Sequence, residues 1–309
     1  MTGPYQFDPA TGLVYANGQL PEGPRVIAWD PEEAGIVRMF PAGGPFVVDP
    51  ADHQLLIDNP NLGLDVFDLT TNELLTHVAL PQIESPPSPP PPPLFDPIGG
   101  VVYVFRGSQV LGVDVLRHRV IRSMDTQERI ADSDLLPIAQ AAFDPVRRLL
   151  YLVYTYQSAA GEISSSLLAV DAARAWARGR QIFPHVHPAD LLLAPRNGRL
   201  YVLAIQASAP TSTATLTRWE NGFPSTVSRD LPGPLPRSLV VDGVQDVLYA
   251  AGPDATYILH AQTLELLSAG PGGPGPFVAL DQEREGLIYL DPQGRPQVWP
   301  LANIQPNQP

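Results

Sequence analysis

The sequence of 309 residues contains no cysteine, and all 19 of its basic residues are arginine. The absence of cysteine excludes disulfides, thiolate nucleophiles and cysteine-based metal sites. The absence of lysine excludes a Walker-type phosphate loop, a Schiff-base lysine and a Ser–Lys dyad, because each of them requires the amine. These absences remove several common classes of catalytic and metal site.

Charge and long apolar runs are also scarce. Charged residues make up 17% of the chain, and the formal net charge is −13. Proline, glycine or a charged residue interrupts every apolar stretch before it reaches the ~18 residues that a membrane helix needs, so no transmembrane segment is predicted. The negative charge, which no basic stripe offsets, argues against nucleic acid and against an anionic membrane surface as ligands.

Proline, by contrast, is abundant: it supplies 37 of the 309 residues, or about 12%, where about 5% is usual. Stiff, proline-rich loops without cysteine are typical of a thermophile protein. A GC-rich genome, which favours Arg, Ala, Pro and Gly codons, accounts for the same composition. The acidic, proline-rich composition therefore characterises the loops of the protein and does not identify its function.

The sequence contains seven copies of a short unit in which an apolar step and a turn, Asp-Pro in four copies, precede a second apolar run. The copies are anchored at Asp8, Asp49, Asp96, Asp144, Ala194, Asp242 and Asp281. The anchors are 41, 47, 48, 50, 48 and 39 residues apart. Five copies place a tyrosine seven residues after the anchor: Tyr15, Tyr103, Tyr151, Tyr201 and Tyr249. Repeats of roughly 40 to 50 residues with short β-like runs are typical of a propeller, not of a helical solenoid.

Each copy predicts four antiparallel strands. The Asp-Pro step ends the first strand, because proline cannot donate to a ladder and aspartate bonds its own downstream backbone. Further on, hairpins such as "GLDVFDLTTNELLTHVAL" (63–80) supply the outer strands. Turn formation is the simplest role for the aspartates, since a calcium site needs several oxygens at one point and these lie on separate copies. The predicted fold is an all-β, seven-bladed β-propeller of four-stranded antiparallel blades.

The repeat resembles the YVTN-type repeat of bacterial and archaeal propellers. In that family an apolar-Asp-Pro step leads to Leu-Tyr-Val, and a Val-x-Asp-x-x-Thr hairpin follows. The stretches "LYV" (200–202) and "VFDLTTNELL" (66–75) match the two parts, and the chain departs from the pattern at Ala194, Gly243 and Gln282. The resemblance implies a propeller over the whole chain but no shared catalytic residues. Some members are surface or periplasmic binding proteins, and seven-bladed neighbours include lactonases and lyases.

A single domain over residues 1–309 is predicted. Its blades fall at approximately 5–44, 45–93, 94–140, 141–189, 190–236, 237–275 and 276–309. The last blade is expected to be short or three-stranded, because its tail "ANIQPNQP" is a poor ladder donor. The missing edge strand could otherwise come from residues outside this sequence or from a partner, since bare edges invite pairing.

Five longer connections are predicted to lie on one face of the propeller, over blades two to five. They are residues 81–93, 125–140, 155–166, 182–190 and 206–215. Long loops on a rigid scaffold commonly carry binding, although solvent-exposed loops also tolerate insertion without function. The stretch "SPPSPPPPP" (85–93) predicts a polyproline II rod, interpreted as a stiff connector clamped on its own propeller in preference to a docking segment.

The candidate partner-binding residues on this face are Tyr154, Tyr156, Phe183, His185 and His187. The two tyrosines end a strand that enters the face, although edge packing explains them nearly as well. In an extended segment, the two histidines would point the same way. Two ligands are too few for a transition-metal site, so no metal and no cofactor are predicted.

Two functional classes remain. One is a non-catalytic binding or structural propeller that presents its loop-rich face to a protein partner or a larger assembly. The other is a lactonase-like or lyase-like enzyme with a site at the mouth of the central channel. The plain inner strands favour the first class and indicate no catalytic residue, and the small-molecule ligand, if any, is not identified. The start "MTGPYQFDPATG" has no signal-peptide pattern, which fits a cytoplasmic protein or a mature extracytoplasmic or cell-surface one, the latter being the expectation.

Overall fold

Seven antiparallel sheets account for nearly all of the regular structure. The computed structural model describes residues 2–59, 62–81, 90–126, 135–157, 163–188, 191–196, 198–208, 211–231, 235–252 and 254–303. These residues form 27 strands and one 3-10 turn at Leu301–Asn303. Among them, no helix has the length and apolar character that crossing a membrane requires.

The first four blades are four-stranded, and their strands follow one another in chain order from the centre outwards. Blade one contains β1 (Thr2–Asp8), β2 (Leu13–Leu20), β3 (Gly23–Asp30) and β4 (Gly35–Met39). Blade two contains β5 (Phe46–Asp49), β6 (Gln54–Asn59), β7 (Gly63–Asp68) and β8 (Leu74–Ala79). Blade three contains β9 (Leu94–Asp96), β10 (Val101–Arg106), β11 (Gln109–Asp114) and β12 (Arg119–Asp125). Blade four contains β13 (Leu135–Asp144), β14 (Leu149–Gln157), β15 (Ile163–Asp171) and β16 (Trp176–Phe183).

The last three blades continue the same order, and the seventh has one strand fewer. Blade five contains β17 (Leu191–Arg196), β18 (Arg199–Ser208), β19 (Thr211–Glu220) and β20 (Phe223–Leu231). Blade six contains β21 (Ser238–Asp242), β22 (Val247–Ala251), β23 (Ala255–His260) and β24 (Leu266–Pro271). Blade seven contains β25 (Phe277–Asp281), β26 (Gly286–Leu290) and β27 (Pro296–Pro300).

The innermost strands form a closed ring. Each first strand contacts the first strand of the next blade, and β25 contacts β1. The predicted seven-bladed β-propeller is therefore confirmed, as is the three-stranded last blade. The tight turns after the inner strands and those between the two outer strands lie on one face, here called the turn face. The loops between second and third strands and the blade-to-blade connections lie on the other, here called the loop face.

The anchor aspartates act as turn formers, as the sequence predicted. All six are buried at the ends of inner strands. In each, Oδ1 accepts the backbone N–H two residues later, as in the 3.1 Å bond from Ile98 N to Asp96 Oδ1. This bond replaces the ladder partner that the chain loses where it turns. The repeated Asp therefore specifies where each inner strand stops.

The hydrophobic core is divided among the blade junctions. The described residues form six clusters of buried side chains, and each one lies between two consecutive blades. The tyrosines seven residues after the anchors belong to these clusters, all of them buried: Tyr15, Tyr103, Tyr151, Tyr201 and Tyr249. One blade cannot bury both of its faces alone, so the ring as a whole supplies the core.

The outer edge of blade seven is protected by proline. The N–H of Leu301 bonds to Glu285 O at 2.9 Å, and the register of β27 on β26 is regular. Along an antiparallel strand, successive residues direct their backbone N–H and C=O groups alternately to the neighbouring strand and away from it. The backbone groups of Pro296, Val298 and Pro300 therefore point away from β26 to the free edge, and of these residues only Val298 has an N–H. Proline at outward positions is a common protection of a sheet edge. The edge therefore offers little to an added strand, which argues against a partner completing the blade.

Candidate functional site

Tyr154 and Phe183 lie in the core and not on the loop face. Tyr154 is 0% exposed and packs in the cluster between blades three and four, where its hydroxyl bonds to the Thr126 hydroxyl. Burial raises the pKa of the Tyr154 phenol. Phe183 is 6% exposed and packs between blades four and five. The expectation that these two side chains contact a partner is revised, because the neighbouring blades already cover them.

His185 and His187 are exposed on the loop face. His185 has a φ of 58°, so the backbone here is a left-handed turn and not the extended segment that the sequence predicted. Its N–H bonds to Ser164 Oγ at 3.2 Å, and the buried Val186 beside it accepts a bond from Ser165 Oγ at 2.6 Å. The described residues contain no group of three or more His, Asp or Glu side chains placed to hold a metal ion.

Several of the predicted loop segments fall outside the described residues. The backbone of Tyr156 is the next-to-last position of β14, whereas its side chain is outside the described part of the structure. Parts of all five connections also lie entirely outside the described residues: 82–89, 127–134, 158–162, 189–190 and 209–210. At the end of the proline run, Pro91 and Pro93 are buried against the propeller, in keeping with the clamped connector.

Among the described residues, blades four and five have the longest second strands, and these run toward the loop face. All seven second strands begin five residues after the anchor, but β14 has 9 residues and β18 has 10, where β2 has 8, β6 and β10 have 6, and β22 and β26 have 5. At ~3.3 Å per residue, the two strands reach roughly 13 to 17 Å further than that of blade six and roughly 3 to 7 Å further than that of blade one. Continuous ladders hold the extensions, from Gln157–Ile163 in blade four and Ser208–Thr211 in blade five. The hairpin extensions, residues 155–166 and 205–216, are therefore paired strand as far as the described residues reach, to Gln157–Ile163 and Ser208–Thr211.

The hairpin extensions carry almost no charge. Their 24 residues include one charged residue, Glu162, in a chain of which 17% is charged. Serine, threonine, alanine and glutamine make up most of the rest. Depletion of charge is a feature of the buried centre of protein–protein interfaces. The hairpin extensions therefore carry less charge than the chain as a whole, whose formal net charge is −13.

The centre of the ring holds an open cavity of about 670 Å³. Its wall consists of the inner strands of blades one to five, and it is mainly aromatic, aliphatic and proline side chains. The residue after the anchor lines the cavity in each of these blades: Pro9, Pro50, Pro97, Pro145 and Pro195. Blades six and seven have Gly243 and Gln282 at this position and do not contribute. The sequence analysis placed an alternative site at the mouth of a central channel but did not identify the residues that line it, although the Pro, Gly and Gln pattern marks its extent.

Polar groups in the cavity wall are few. The side chain of Gln6 is bonded to the next blade, where Val48 N–H donates to Gln6 Oε1 at 2.9 Å. The Tyr5 hydroxyl donates to Gly294 O at 3.4 Å. Arg196 is the one charged residue among those that line the cavity. It is exposed on the turn face, and it forms no ion pair with another described residue. The cavity is thus an apolar channel with a single guanidinium at its mouth.

Comparison with solved structures supports the fold. The β-propeller domain of Cps50 (Swd1) from Myceliophteria thermophila is similar, with a TM-score of 0.66 and 12% sequence identity, over 97% of this chain and 95% of that one. At this identity the likeness shows the fold alone. No protein-family profile matches the chain, and no curated protein matches it. The resemblance to YVTN-type repeats therefore stays a prediction from the sequence.

Proposed function

We propose that this protein is a non-catalytic binding propeller that contacts a protein partner through its loop face over blades two to five. The observation that carries the proposal is the pair of hairpin extensions on blades four and five. The strands β14 and β18 run one or two residues beyond β2 and three to five residues beyond the second strands of the other blades, and ordering backbone costs about 1–2 kcal/mol of entropy per residue. The longest second strands occur in two neighbouring blades and run toward the same face, which favours a contact surface.

The chemistry of the same region supports this proposal. The hairpin extensions have one charged residue, Glu162, in a chain of net charge −13. They can therefore approach another protein without desolvating several carboxylates. Beside them, His185 and His187 are exposed on the connection that follows blade four. We place these histidines at the border of the contact surface.

The alternative, an enzyme with its site at the channel mouth, has less support. General acid–base chemistry needs titratable groups that converge on one point. Of the described residues that line the channel, only Arg196 is charged, while Gln6 and Tyr5 bond the protein's own backbone. The channel wall favours binding over catalysis.

Shortened hairpins test the proposal. In blade five, Asn-Gly replaces residues 207–212 and joins the paired residues Gln206 and Thr213; in blade four, it replaces 157–163 and joins Tyr156 and Ser164. Both changes leave the buried parts of the strands intact. The matched control replaces Pro21 and Glu22, the equivalent turn of blade one on the same face, with Asn-Gly.

Tagged proteins are used to isolate partners from an extract of the source cells, and the bound proteins are quantified by mass spectrometry. The unaltered protein and the control are expected to retain a partner at a fixed ratio, and both shortened variants to lose at least about nine-tenths of it. Thermal unfolding confirms that each variant is folded. Equal retention by all folded variants, or no partner at a fixed ratio, would reject the proposal.

A further inference from the structure

The central channel has the dimensions and the lining of a small-molecule site. Its volume of about 670 Å³ lies within the ~300–1,000 Å³ that is usual for ligand pockets. The prolines of five blades and the aromatic rings of Phe7, Phe95 and Phe143 form much of the wall. These side chains are rigid or held in strands, so the channel is preformed and a ligand would not have to order its walls.

The wall selects an apolar ligand body. The amide of Gln6 already exchanges bonds with Val48, and the hydroxyl of Tyr5 already donates to Gly294. A polar body placed against the remaining aliphatic and aromatic surface would lose its bonds to water without replacing them. The ligand that gains most from this channel is therefore a hydrocarbon chain or an aryl group.

The mouth on the turn face selects an anionic head. Arg196 stands two residues after the anchor of blade five, and it is the one cation at this turn position: five other blades have Ala10, Ala51, Ile98, Val146 and Val244, and blade seven has Glu283. A guanidinium presents a planar fork of donors that matches a carboxylate. Because Arg196 has no ion pair with the described residues, its donors are available to a ligand.

The rim around the mouth extends the apolar surface. Ile98, Val146 and Val244 occupy the equivalent turns of their blades and are 69%, 57% and 76% exposed. Exposed aliphatic side chains grouped around a pocket are a common mark of a binding site. The entrance to the channel thus combines apolar side chains with the guanidinium of Arg196.

We propose that the central channel binds a small amphipathic carboxylate. Its apolar body lies between the inner strands of blades one to five, and its carboxylate pairs with Arg196 at the turn face. This inference goes beyond the proposed partner binding, because it concerns the channel and the opposite face. Either inference can fail while the other holds.

Isothermal titration calorimetry with decanoate tests the site, and 1-decanol is the uncharged analogue with the same chain. The unaltered protein is expected to bind one decanoate per chain, and to bind 1-decanol more weakly. Arg196→Gln is expected to weaken decanoate about fivefold, the upper range for an exposed ion pair, and to leave 1-decanol unchanged. Arg117→Gln, at an exposed turn between outer strands of blade three, makes the same change in net charge and is expected to have no effect.

A second variant blocks the channel without touching the cation. Ala51 lines the mouth and is exposed, and the same turn position holds large residues in other blades, so Ala51→Trp is expected to fold normally. It is expected to weaken both decanoate and 1-decanol. The absence of saturable decanoate binding, or binding that neither Arg196→Gln nor Ala51→Trp alters, would overturn the proposal. Equal binding of the two probes would reject the role of the carboxylate.

Discussion

Six of the seven blade junctions differ from the seventh in what fills them. Each of the six has a hydrophobic cluster that joins two blades consecutive in the chain. Between blades seven and one, no such cluster occurs among the described residues. The closing junction instead has directional polar contacts: Trp29 Nε1 donates to Pro296 O at 3.0 Å, and Arg284 approaches Glu32 at 3.4 Å. Buried side chains on the same face of blade one, such as Ile27, accompany these contacts.

The difference follows from the connectivity. Blades that are neighbours in sequence meet across short connections, and an apolar cluster joins each pair, with an ion pair in addition at some junctions, such as Asp58–Arg106. Blades one and seven lie at opposite ends of the described chain, and closing so long a loop costs more entropy than joining sequence neighbours. Hydrogen bonds and ion pairs specify relative position more than they add stability. We infer that the six clusters supply most of the stability and that the closing junction fixes how the two ends align.

The largest effect is expected at the junction of blades two and three, which contains a buried ion pair beside its apolar cluster. Arg106 Nη1 donates to Asp58 Oδ2 at 2.7 Å, and the two side chains are 2% and 0% exposed. Asp58→Asn leaves the guanidinium without a counter-charge in a buried site. We expect a loss of about 3–5 kcal/mol in the free energy of unfolding, measured by urea denaturation.

The matched control removes both charges. A double variant, Asp58→Leu with Arg106→Met, replaces the pair with apolar side chains and is expected to lose much less than the single variant. If the double variant were the less stable of the two, the pair itself would be the main contribution at this junction.

The second prediction compares two anchors that the sequence makes look alike. Asp96 pairs across its junction with Arg148, at 2.7 Å from Nη2 to Oδ2. Asp144 is fully buried, and its Oδ2 has no hydrogen-bond partner among the described residues. Whether the carboxylate has a cationic partner depends on the residue four positions after the anchor of the following blade. This residue is Arg148 in the blade that follows Asp96, and Gly198 in the blade that follows Asp144. Asp96→Asn is expected to cost about 1.5–3 kcal/mol through the lost charged hydrogen bond.

The variant Asp144→Asn is expected to show its effect in the pH dependence. Burial raises the pKa of the Asp144 carboxyl above its ordinary value. The folded state therefore binds this proton more tightly than the unfolded state, and the stabilisation present at low pH is lost as pH rises through the raised pKa. Relative to the Asn variant, the unaltered protein should lose stability between pH 4 and pH 7 in thermal unfolding. A relative stability that rises over this range would contradict the assignment.

These anchors also show how far the sequence can be interpreted. The repeat, with Asp-Pro at four anchors and a related turn at the other three, is enough to predict the seven blades and their turns, because a turn depends on residues within three or four positions. The three-stranded last blade follows from the same kind of local argument, since the proline-rich tail "ANIQPNQP" is a poor ladder donor. Local signals of this kind survive in any surroundings.

The candidate contact residues needed information that is not local. Tyr154 lies in β14 and Phe183 ends β16, and both strands run toward the loop face. Thr126 of the preceding blade nevertheless meets the Tyr154 hydroxyl, and blade five covers Phe183. The left-handed backbone of His185 is likewise uncommon for a non-glycine residue and is not signalled by its neighbours. Burial at a junction depends on the adjacent blade, some 50 residues away, and a single copy of the repeat does not contain it.

The smallest effect is expected at the closing junction. Trp29→Phe removes the indole N–H that bonds Pro296 O, at a cost of about 1 kcal/mol. If this bond aligns the two ends of the chain, amide hydrogen exchange should accelerate in blades seven and one and stay unchanged in blades three to five. Trp176→Phe, on the outer strand of blade four where Trp176 is 46% exposed, is the control and should change stability by less than about 0.5 kcal/mol. Acceleration spread evenly over all blades would mean that the ring opens as one unit, and the distinction between the closing junction and the other six would then be structural only.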